Sequence, residues 1–307
     1  MSAPSVSVII PTYNQRSQVA NAVKSALRET NTLPKDVAEV IVVEDHCDVA
    51  RQILAPQMRD PALKYYQNAG LPGPADPRNT GVAKAKGDIV LFLDDDDELL
   101  PGHLARILEI RNHPLPPSWG FARQVIRETN DGNEIRRVSP LKNRQTGVLT
   151  NACPLRRRIP ALSAGIWMER DLFVAVGGLD PLQKIDEDTD MAIRILIHGQ
   201  NPWFEEEPGV LFDRRDIDEN KENTLFRITN STSSDTTAEY YFRTFQKNYS
   251  SSMHLRGAGW FLAARTMRMA LRGCRQDIIA DLLNKTSRKH RAMLLVYQWS
   301  RTALRAA

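Results

Sequence analysis

Four consecutive aspartates, Asp94 to Asp97, follow the apolar segment Ile89–Leu93. This segment is short, uninterrupted and rich in β-branched residues, a pattern that predicts a buried parallel strand. The carboxylates would then lie at the carboxyl end of the strand, where open α/β sheets bind their ligands. Crowded like charges repel unless a cation neutralises them, and hard divalent cations prefer oxygen ligands. The run therefore indicates a metal-nucleotide site; the alternative is a solvated acidic turn that caps a helix starting near Pro101.

Polar residues also follow two earlier segments that read as strands, Val6–Ile10 and Val40–Val43. The first is followed by Pro-Thr-Tyr-Asn and the second by Glu-Asp-His, so both stretches fall at the same sheet edge as the aspartates. The ring of Tyr13 can stack on a nucleotide base, and Asp45 can accept a hydrogen bond from a uracil-type N–H. The alternative is that the stretches are only turns, with Asn14 as a helix cap.

A third acidic cluster, Ile185-Asp-Glu-Asp-Thr-Asp-Met191, leads into a predicted helix over Asp188–His198. Carboxylates at the start of a helix are stabilised by the helix dipole and often have no further role. Neighbouring carboxylates also raise one another's pKa, which suits a general base. The residue pattern by itself leaves both interpretations open.

Strands and helices alternate over the first hundred residues. The remaining predicted elements there are helices over Gln15–Leu27, Val49–Met58 and Pro77–Lys86 and a strand over Leu63–Gln67. This alternation predicts βαβ units and a parallel, doubly wound sheet. No GxGxxG follows the first strand and no GxxxxGK[ST] occurs in the sequence, so a nucleotide site would depend on carboxylates and a metal ion.

The pattern changes after Pro101. Further predicted elements are a helix over His103–Asn112, strands over Gly120–Arg127 and Ile135–Val138, and helices over Glu169–Val176 and from Ala238 onward. The two strands flank Asn-Asp-Gly-Asn, which predicts a hairpin. Residues 139–160 contain three prolines, a triple arginine and few periodic apolar positions, a composition typical of a mobile loop.

Composition is that of a globular protein. The 307 residues are 42% hydrophobic and 25% charged, which favours one catalytic domain plus a tail. The three cysteines are widely spaced and lack a CxxC pair, so neither a disulfide framework nor a structural zinc site is indicated, and a reducing cytoplasm is expected. No signal peptide is recognised, and no window approaches the ~20 apolar residues of a spanning helix. We therefore expect a protein that is not integral to a membrane.

Charge is distributed unevenly around a formal net charge of +4. Basic residues gather in Arg156-Arg-Arg158 and after Arg256, which suggests an anionic partner, although solvated surface charge is the commoner explanation. The tail also carries an apolar stripe that includes Trp260 and Met267. This stripe either docks on the catalytic domain or a second subunit, or contacts an anionic membrane. Nucleic acid is not expected as a partner, because no nucleic-acid module is recognisable.

These motifs resemble, in order and spacing, those of the inverting glycosyltransferases of family 2, which have the GT-A fold. The resemblance covers roughly residues 5 to 215. Its pieces are Ser5-Val-Ser-Val-Ile-Ile-Pro-Thr-Tyr-Asn14, Val42-Val-Glu-Asp45, Asp76-Pro-Arg-Asn-Thr-Gly81, Leu93-Asp-Asp-Asp-Asp97, and Gly177-Gly-Leu-Asp180 followed by Glu187-Asp188. It implies a catalytic domain over residues 1–225, with a doubly wound mixed sheet, and a helical extension over residues 226–307.

The resemblance also implies an activity. It implies Mn²⁺- or Mg²⁺-dependent transfer of a hexose from a nucleotide sugar, most simply a UDP-sugar, to a hydroxyl of a glycan, lipid-linked or protein acceptor. Asp96 would hold the metal ion, and Asp188 would be the catalytic base of a reaction that inverts the anomeric centre. The residues implied to bind the nucleotide sugar are Pro11, Thr12, Tyr13, Asn14, Asp45, Arg78, Asn79, Asp94, Asp95 and Glu187. The tail would give a peripheral contact at the inner face of the membrane or a homo-oligomer.

The sequence departs from the family pattern in two places. Glu44 stands where aspartate is usual, and His46-Cys47 stands where small residues are usual. Asp213-Arg-Arg-Asp216 occupies the region in which members often supply a metal-binding histidine, and Arg214 or Arg215 there could contact a diphosphate.

Two other classes of function remain open. A sugar-phosphate nucleotidyltransferase has a similar architecture but needs a glycine-rich loop after the first strand, which Pro-Thr-Tyr-Asn does not provide. A non-catalytic nucleotide-sugar-binding module would be favoured if the metal or base carboxylate were missing, and both candidates are present.

Overall fold

A single mixed sheet of ten strands forms the centre of the molecule. The computed structural model describes residues 5–13, 18–130, 133–139, 145–160, 164–214 and 232–306. The strands are β1 (Val6–Thr12), β2 (Ala38–Glu44), β3 (Leu63–Gln67), β4 (Ile89–Phe92), β5 (Glu98–Leu99), β6 (Trp119–Asn130), β7 (Asn133–Val138), β8 (Gly147–Val148), β9 (Ile166–Glu169) and β10 (Trp203–Asp213). Eight of them run in the order β3-β2-β1-β4-β9-β6-β10-β5, and β7 and β8 pair with β6 and β10.

The first half of the sheet is parallel, as the sequence predicts. Strand β1 lies between β2 and β4, and β2 also pairs with β3. Alternate residues of β1 belong to two different hydrophobic clusters: Val8 and Ile10 to one, Ile9 to the other. Because successive side chains of a strand point to opposite faces, the sheet is covered by apolar packing on both sides. The doubly wound arrangement is therefore confirmed.

The second half of the sheet is mixed. Strand β9 runs antiparallel between β4 and β6, whereas β6 and β10 are parallel to each other. The predicted hairpin is confirmed, since β6 and β7 pair antiparallel with Asn130 opposite Asn133. The register between β6 and β10 shifts around Pro208, which lacks a backbone N–H for the ladder.

Helices cover the sheet and continue to the C-terminus. They are α1 (Val19–Thr30), α2 (Ala50–Ile53), α3 (Ala75–Lys84), α4 (His103–Arg111), α5 (Leu155–Arg158), α6 (Arg170–Ala175), α7 (Glu187–Ile197), α8 (Ser234–Asn248), α9 (Ala258–Arg272), α10 (Gln276–Lys285) and α11 (Arg288–Ala306). The predicted helix over 49–58 is wrong in its extent: α2 ends at Ile53 and a separate 3₁₀ turn covers Gln57–Arg59. Pro56 explains the break, because it disfavours helical backbone in the residue before it.

In the stretch 139–160, for which the composition predicts a mobile loop, the described part contains β8 and α5, and Leu155 is fully buried. Arg158 is only 2% exposed, and its guanidinium donates to the side-chain oxygens of Asn151 and Asn201. The interpretation of the arginine triplet as surface charge is therefore wrong for Arg158, which ties this segment to the loop before β10.

The C-terminal helices share the core with the sheet. Phe245, Leu262 and Leu294 belong to the same hydrophobic cluster as Phe92 and Trp119. The apolar stripe of α9 packs in this cluster, so its docking on the catalytic domain is confirmed. The predicted boundary at 225/226 lies outside the described residues and remains a proposal. Among the helices that the structure describes, none is long and apolar enough to cross a membrane.

A buried histidine begins α4. The His103 side chain is 1% exposed, and within the described part of the chain neither ring nitrogen has a hydrogen-bond partner. The ring packs directly on Gly209, where an added Cβ would come within 2.3 Å of it. Burial, together with the nearby Arg106 cation, lowers the pKa of His103 to about 3.

This histidine should make the fold sensitive to acid. Between pH 6.5 and 3, His103 is protonated in the unfolded chain but not in the folded chain. The free energy of unfolding therefore has its full value above pH 6.5 and decreases as the pH falls. At about 1.4 kcal/mol per pKa unit, the loss at pH 5 should be about 2 kcal/mol. The free energy of unfolding, measured with urea at pH 7 and pH 5, should change less between the two pH values for His103→Leu than for the wild type. The control is His113→Leu, which removes an exposed imidazole; equal pH dependence in all three proteins would contradict the assignment.

Candidate active site

Three parallel strands bring the predicted polar groups to one edge of the sheet. Tyr13 follows β1, Asp45 follows β2, and the aspartate run begins two residues after β4. The amide of Asp45 donates to the carbonyl of Thr12 at 2.8 Å, which joins the first two of these strand ends. The Tyr13 side chain is 45% exposed at this edge. Asn14, also predicted to lie here, is outside the described residues.

The carboxylates of the four aspartates have different contacts. One carboxylate oxygen each from Asp94, Asp96 and Asp97 lies within 4.8 Å of the other two, an arrangement that could hold a metal ion. The Asp95 carboxylate instead accepts a 2.7 Å hydrogen bond from the hydroxyl of Thr12. Asp97, for which the sequence offered no role, is fully buried and accepts the amide of Asp213 at 3.0 Å. The aspartate run therefore divides into three potential ligands and one residue that fixes the end of β1.

Asp45 is held in place by protein donors. One of its carboxylate oxygens accepts from Asn68 and the other from the amide of Gly73, both at 2.8 Å. A carboxylate oxygen has a second lone pair, so each can still accept a hydrogen bond from a ligand. Asn68, which sequence reasoning did not single out, is buried and also accepts from Thr80.

Glu44, which stands where aspartate is usual, has a structural role. Its carboxylate accepts the amides of Val49 and Ala50, both at 2.8 Å, and the hydroxyl of Tyr65. Burial by itself would raise the pKa of Glu44, but these hydrogen bonds and one from Cys47 hold it below its usual range. The glutamate therefore stabilises the start of α2 from the end of β2.

Arg78 connects the aspartate run to the acidic pair Glu187-Asp188. Its buried guanidinium lies 2.5 Å from Asp94 and 3.7 Å from Glu187, and it also donates to the carbonyl of Pro74. A buried cation between two carboxylates offsets part of their repulsion. The aspartate run and the pair Glu187-Asp188 are thus brought together by Arg78, which belongs to the motif Asp76-Pro-Arg-Asn-Thr-Gly81.

Asn79 uses its side chain to position a neighbouring loop. Its amide nitrogen donates to the carbonyl of Leu179 at 2.9 Å, and its oxygen accepts the Leu179 amide at 3.0 Å. Gly178 precedes this contact with φ +64, and an added Cβ there would come within 2.9 Å of Asn79. Asn79 therefore joins α3 to the loop that leads to Glu187 and Asp188. Its direct contact with the nucleotide sugar remains a prediction.

Glu187 and Asp188 open helix α7. Glu187 is buried and faces Arg78, whereas Asp188 is half-buried and accepts the Thr189 amide at 2.6 Å. Burial, followed by the Asp188 charge, raises the pKa of Glu187 to about 8. Burial also raises the pKa of Asp188, against the opposing effects of the Thr189 amide and the Arg78 cation. The two neighbouring carboxyl groups therefore bind protons more tightly than isolated carboxylates do.

The region in which the family often has a histidine is occupied by an ion-pair network. Asp213 lies 2.5 Å from the guanidinium of Arg127, which also contacts Glu98 at 2.9 Å. Arg214 lies over the ring of Phe212, and Arg215 is outside the described residues. Arg127, which the sequence analysis did not single out, fixes Asp213 and through it the amide that reaches Asp97.

The chain is similar to known proteins in sequence and in fold. Residues 7–149, which include most of the first motif and the next three, match the model of glycosyl transferase family 2. This match covers slightly less than half of the chain. A crystal structure of Staphylococcus aureus TarS 1–349 in complex with UDP-GlcNAc superposes with a TM-score of 0.60 at 17% identity, covering 95% of this chain and 79% of that one. The fold of the chain is accordingly the predicted GT-A fold with added C-terminal helices.

Curated relatives are also glycosyltransferases by name. An uncharacterized glycosyltransferase of Haemophilus influenzae is 26% identical over 65% of this chain and 63% of its own length. The Campylobacter jejuni GalNAc(5)-diNAcBac-PP-undecaprenol beta-1,3-glucosyltransferase is 37% identical over 38% of each chain. These matches thus cover less than two thirds of both relatives.

Proposed function

We propose that this protein is a family 2 glycosyltransferase that transfers a sugar from a nucleotide sugar, most simply a UDP-sugar, to an acceptor hydroxyl with inversion at the anomeric carbon. The observation that carries this proposal is the position of Arg78 between Asp94 and Glu187. It links the carboxylates suited to a metal-bound diphosphate to the carboxylate pair suited to proton transfer. A simple nucleotide-binding module has no need of the second group.

The aspartate cluster fits a divalent cation. Three carboxylates whose oxygens lie within 4.8 Å of one another are hard ligands of the type that Mn²⁺ and Mg²⁺ accept. Asp96 would be the main ligand, with Asp94 and Asp97 beside it. When bound, such an ion supplies charge stabilisation to a departing diphosphate.

The protein residues have separate tasks in the transfer. Tyr13 and Asp45 would bind the base, the first by stacking and the second by accepting a hydrogen bond. Asp188 would take the proton from the acceptor hydroxyl, because it is the more exposed member of the pair and Glu187 faces Arg78. Attack by this hydroxyl from the face opposite the leaving group breaks the bond to the diphosphate and inverts the anomeric centre. Inversion is therefore part of the proposal.

A two-stage experiment tests the function. Thermal shift with Mn²⁺ and a panel of nucleoside diphosphate sugars identifies the donor, since a ligand of the folded state raises the melting temperature. UDP release is then measured with the best donor, with and without glycan and polyprenyl diphosphate-linked acceptors. Transfer to an acceptor supports the proposal. Binding without turnover for every acceptor would favour the non-catalytic module, and formation of a nucleotide sugar from a sugar phosphate would favour the nucleotidyltransferase.

We also propose that helix α11 contacts an anionic membrane surface. Leu295, Val296 and Trp299 are 49%, 67% and 72% exposed, whereas Leu294 is buried in the core. No aspartate or glutamate occurs in residues 287–307, and Arg288, Lys289, Arg291 and Arg301 are exposed. Apolar side chains flanked by cations suit the interface of an anionic bilayer. A lipid-linked acceptor, of the kind named for the Campylobacter relative, would be reached from there.

Liposome sedimentation of the full-length protein should show this contact. The wild type should pellet with anionic vesicles and less so in high salt, because salt screens the basic residues. Val296→Ser with Trp299→Ser should move most of the protein to the supernatant. The control is Leu115→Ser with Val174→Ser, which removes two exposed apolar side chains elsewhere. Equal pelleting of both double variants would contradict the membrane contact, and a monomer–dimer difference between them would indicate that a second copy covers the helix.

A further inference from the structure

The residue before the acidic pair has an unusual backbone. Asp186 has φ 73 and ψ 13, in the left-handed region, and is the N-cap of α7. Few residues other than glycine adopt this region, and those that do are held there by their surroundings. The backbone of Asp186 sets the direction in which Glu187 and Asp188 leave the turn. Whatever fixes Asp186 therefore also fixes the proposed base.

An arginine from the C-terminal region holds Asp186. The two terminal nitrogens of Arg265 donate to the two carboxylate oxygens of Asp186, at 3.1 and 2.5 Å. The Asp186 side chain is buried and that of Arg265 is 13% exposed, and the guanidinium lies over the rings of Tyr241 and Phe261 at 4.4 and 5.0 Å. Paired hydrogen bonds of this type fix direction as well as distance. Arg265 lies on α9, so the contact crosses from the C-terminal helices to the catalytic turn.

Helix α8 holds the same turn on both sides of the acidic pair. Asp180 accepts hydrogen bonds from Arg243 and Lys247, at 2.9 and 3.0 Å. Asp190 accepts from the same Lys247 at 2.8 Å and from Asn248 at 2.7 Å. Burial would raise the pKa of Asp180, but its cationic partners and the Leu182 amide hold it at about 2. The C-terminal helices therefore contact the segment 180–190 through the carboxylates of three aspartates.

We propose that Arg265 is a positioning residue for the transfer reaction, which orients the Asp188 carboxylate by fixing Asp186 and stabilises its charge from the C-terminal helices. This inference rests on the proposed function and adds a residue outside the segment matched by the family model. The charged groups that act on Asp188 are Arg78 from α3, Arg265 from α9, Asp94 after β4, and the adjacent Asp186 and Glu187. Loss of Arg265 removes one of the two cations in this set.

Arg265→Gln tests the proposal with matched variants. The expected kcat falls about 10- to 100-fold, as for other residues that orient a catalytic group, while the donor KM changes less than about twofold. The acid limb of the kcat–pH profile should move to higher pH, because a carboxylate without its cation binds its proton more tightly. Arg265→Lys keeps the charge without the paired geometry and should give an intermediate kcat. The control is Arg275→Gln, which removes an arginine of the same region that pairs with Glu239 and Asp277 at the surface.

Two further measurements separate positioning from folding and from the function itself. If Arg265→Gln does not fold, Asp186→Asn keeps the side-chain size, tolerates the left-handed backbone and weakens the same pair, so a smaller fall in kcat is expected. Its acid limb should move to lower pH instead, because loss of the neighbouring carboxylate favours ionisation of Asp188. Carboxyl ¹³C NMR of Asp188 should show a raised pKa in Arg265→Gln and a lowered pKa in Asp186→Asn, and it needs no turnover. A lower melting temperature with wild-type kcat, pH profile and Asp188 titration would overturn the positioning role. Absence of turnover in the wild type, with the NMR shift present, would count against the proposed function alone.

Discussion

Asp188→Asn should reduce turnover by about 10²- to 10⁴-fold, the contribution usual for a general base. The asparagine keeps the size of the side chain and can still accept the Thr189 amide, but it cannot take a proton from the acceptor. Donor binding should persist, because the groups proposed to bind the base and the metal ion lie at the ends of β1, β2 and β4. Single-turnover rates and donor affinity, measured separately, check both expectations.

Glu187→Gln is the matched control for this result. Both residues are acids at the first turn of α7, but Glu187 is buried against Arg78, whereas Asp188 is half-buried. Its loss should weaken donor binding or metal response more than the chemical step. A variant Asp188→Asn with a near-normal transfer rate would refute the base assignment, and a larger loss in Glu187→Gln would transfer the role to that residue.

The sheet edge could be predicted from the sequence because it follows from topology. Three apolar runs separated by helical segments make parallel strands, and parallel strands end at the same edge. This reasoning placed Tyr13, Asp45 and Asp94 together, and the structure confirms their proximity. The hairpin around Asn130 could be predicted equally well, because the residues that form a hairpin are neighbours in the chain.

The division of labour among the aspartates could not be predicted. Asp95 turns away because Thr12, 83 residues earlier, donates to it, and Asp97 is buried because β10 supplies the Asp213 amide. The same limit applies to Arg158, which resembles its two arginine neighbours in sequence and differs only through Asn151 and Asn201. These properties depend on partners that the fold brings together over long sequence separations, and no local pattern contains them.

Asp96→Ala should abolish the metal dependence of nucleotide binding while leaving the protein folded. In the absence of metal, removal of one carboxylate from a crowded cluster lowers the repulsion among Asp94, Asp96 and Asp97. The variant should therefore melt at the same or a higher temperature than the wild type in EDTA. In Mn²⁺ with UDP the wild type should gain stability and the variant should not, because binding to the folded state is what raises the melting temperature.

The reversal of this order between EDTA and Mn²⁺ is the deciding measurement. Calorimetric titration of UDP should give the variant in Mn²⁺ the affinity that the wild type has in EDTA. Glu207→Ala removes an exposed carboxylate from β10, and it controls for the change in net charge, since its Mn²⁺ response should equal that of the wild type. Unchanged UDP affinity of Asp96→Ala in Mn²⁺ would exclude Asp96 as the main ligand. A partial loss, deepened by Asp97→Asn, would show instead that the ion is shared with the carboxylate that accepts the Asp213 amide.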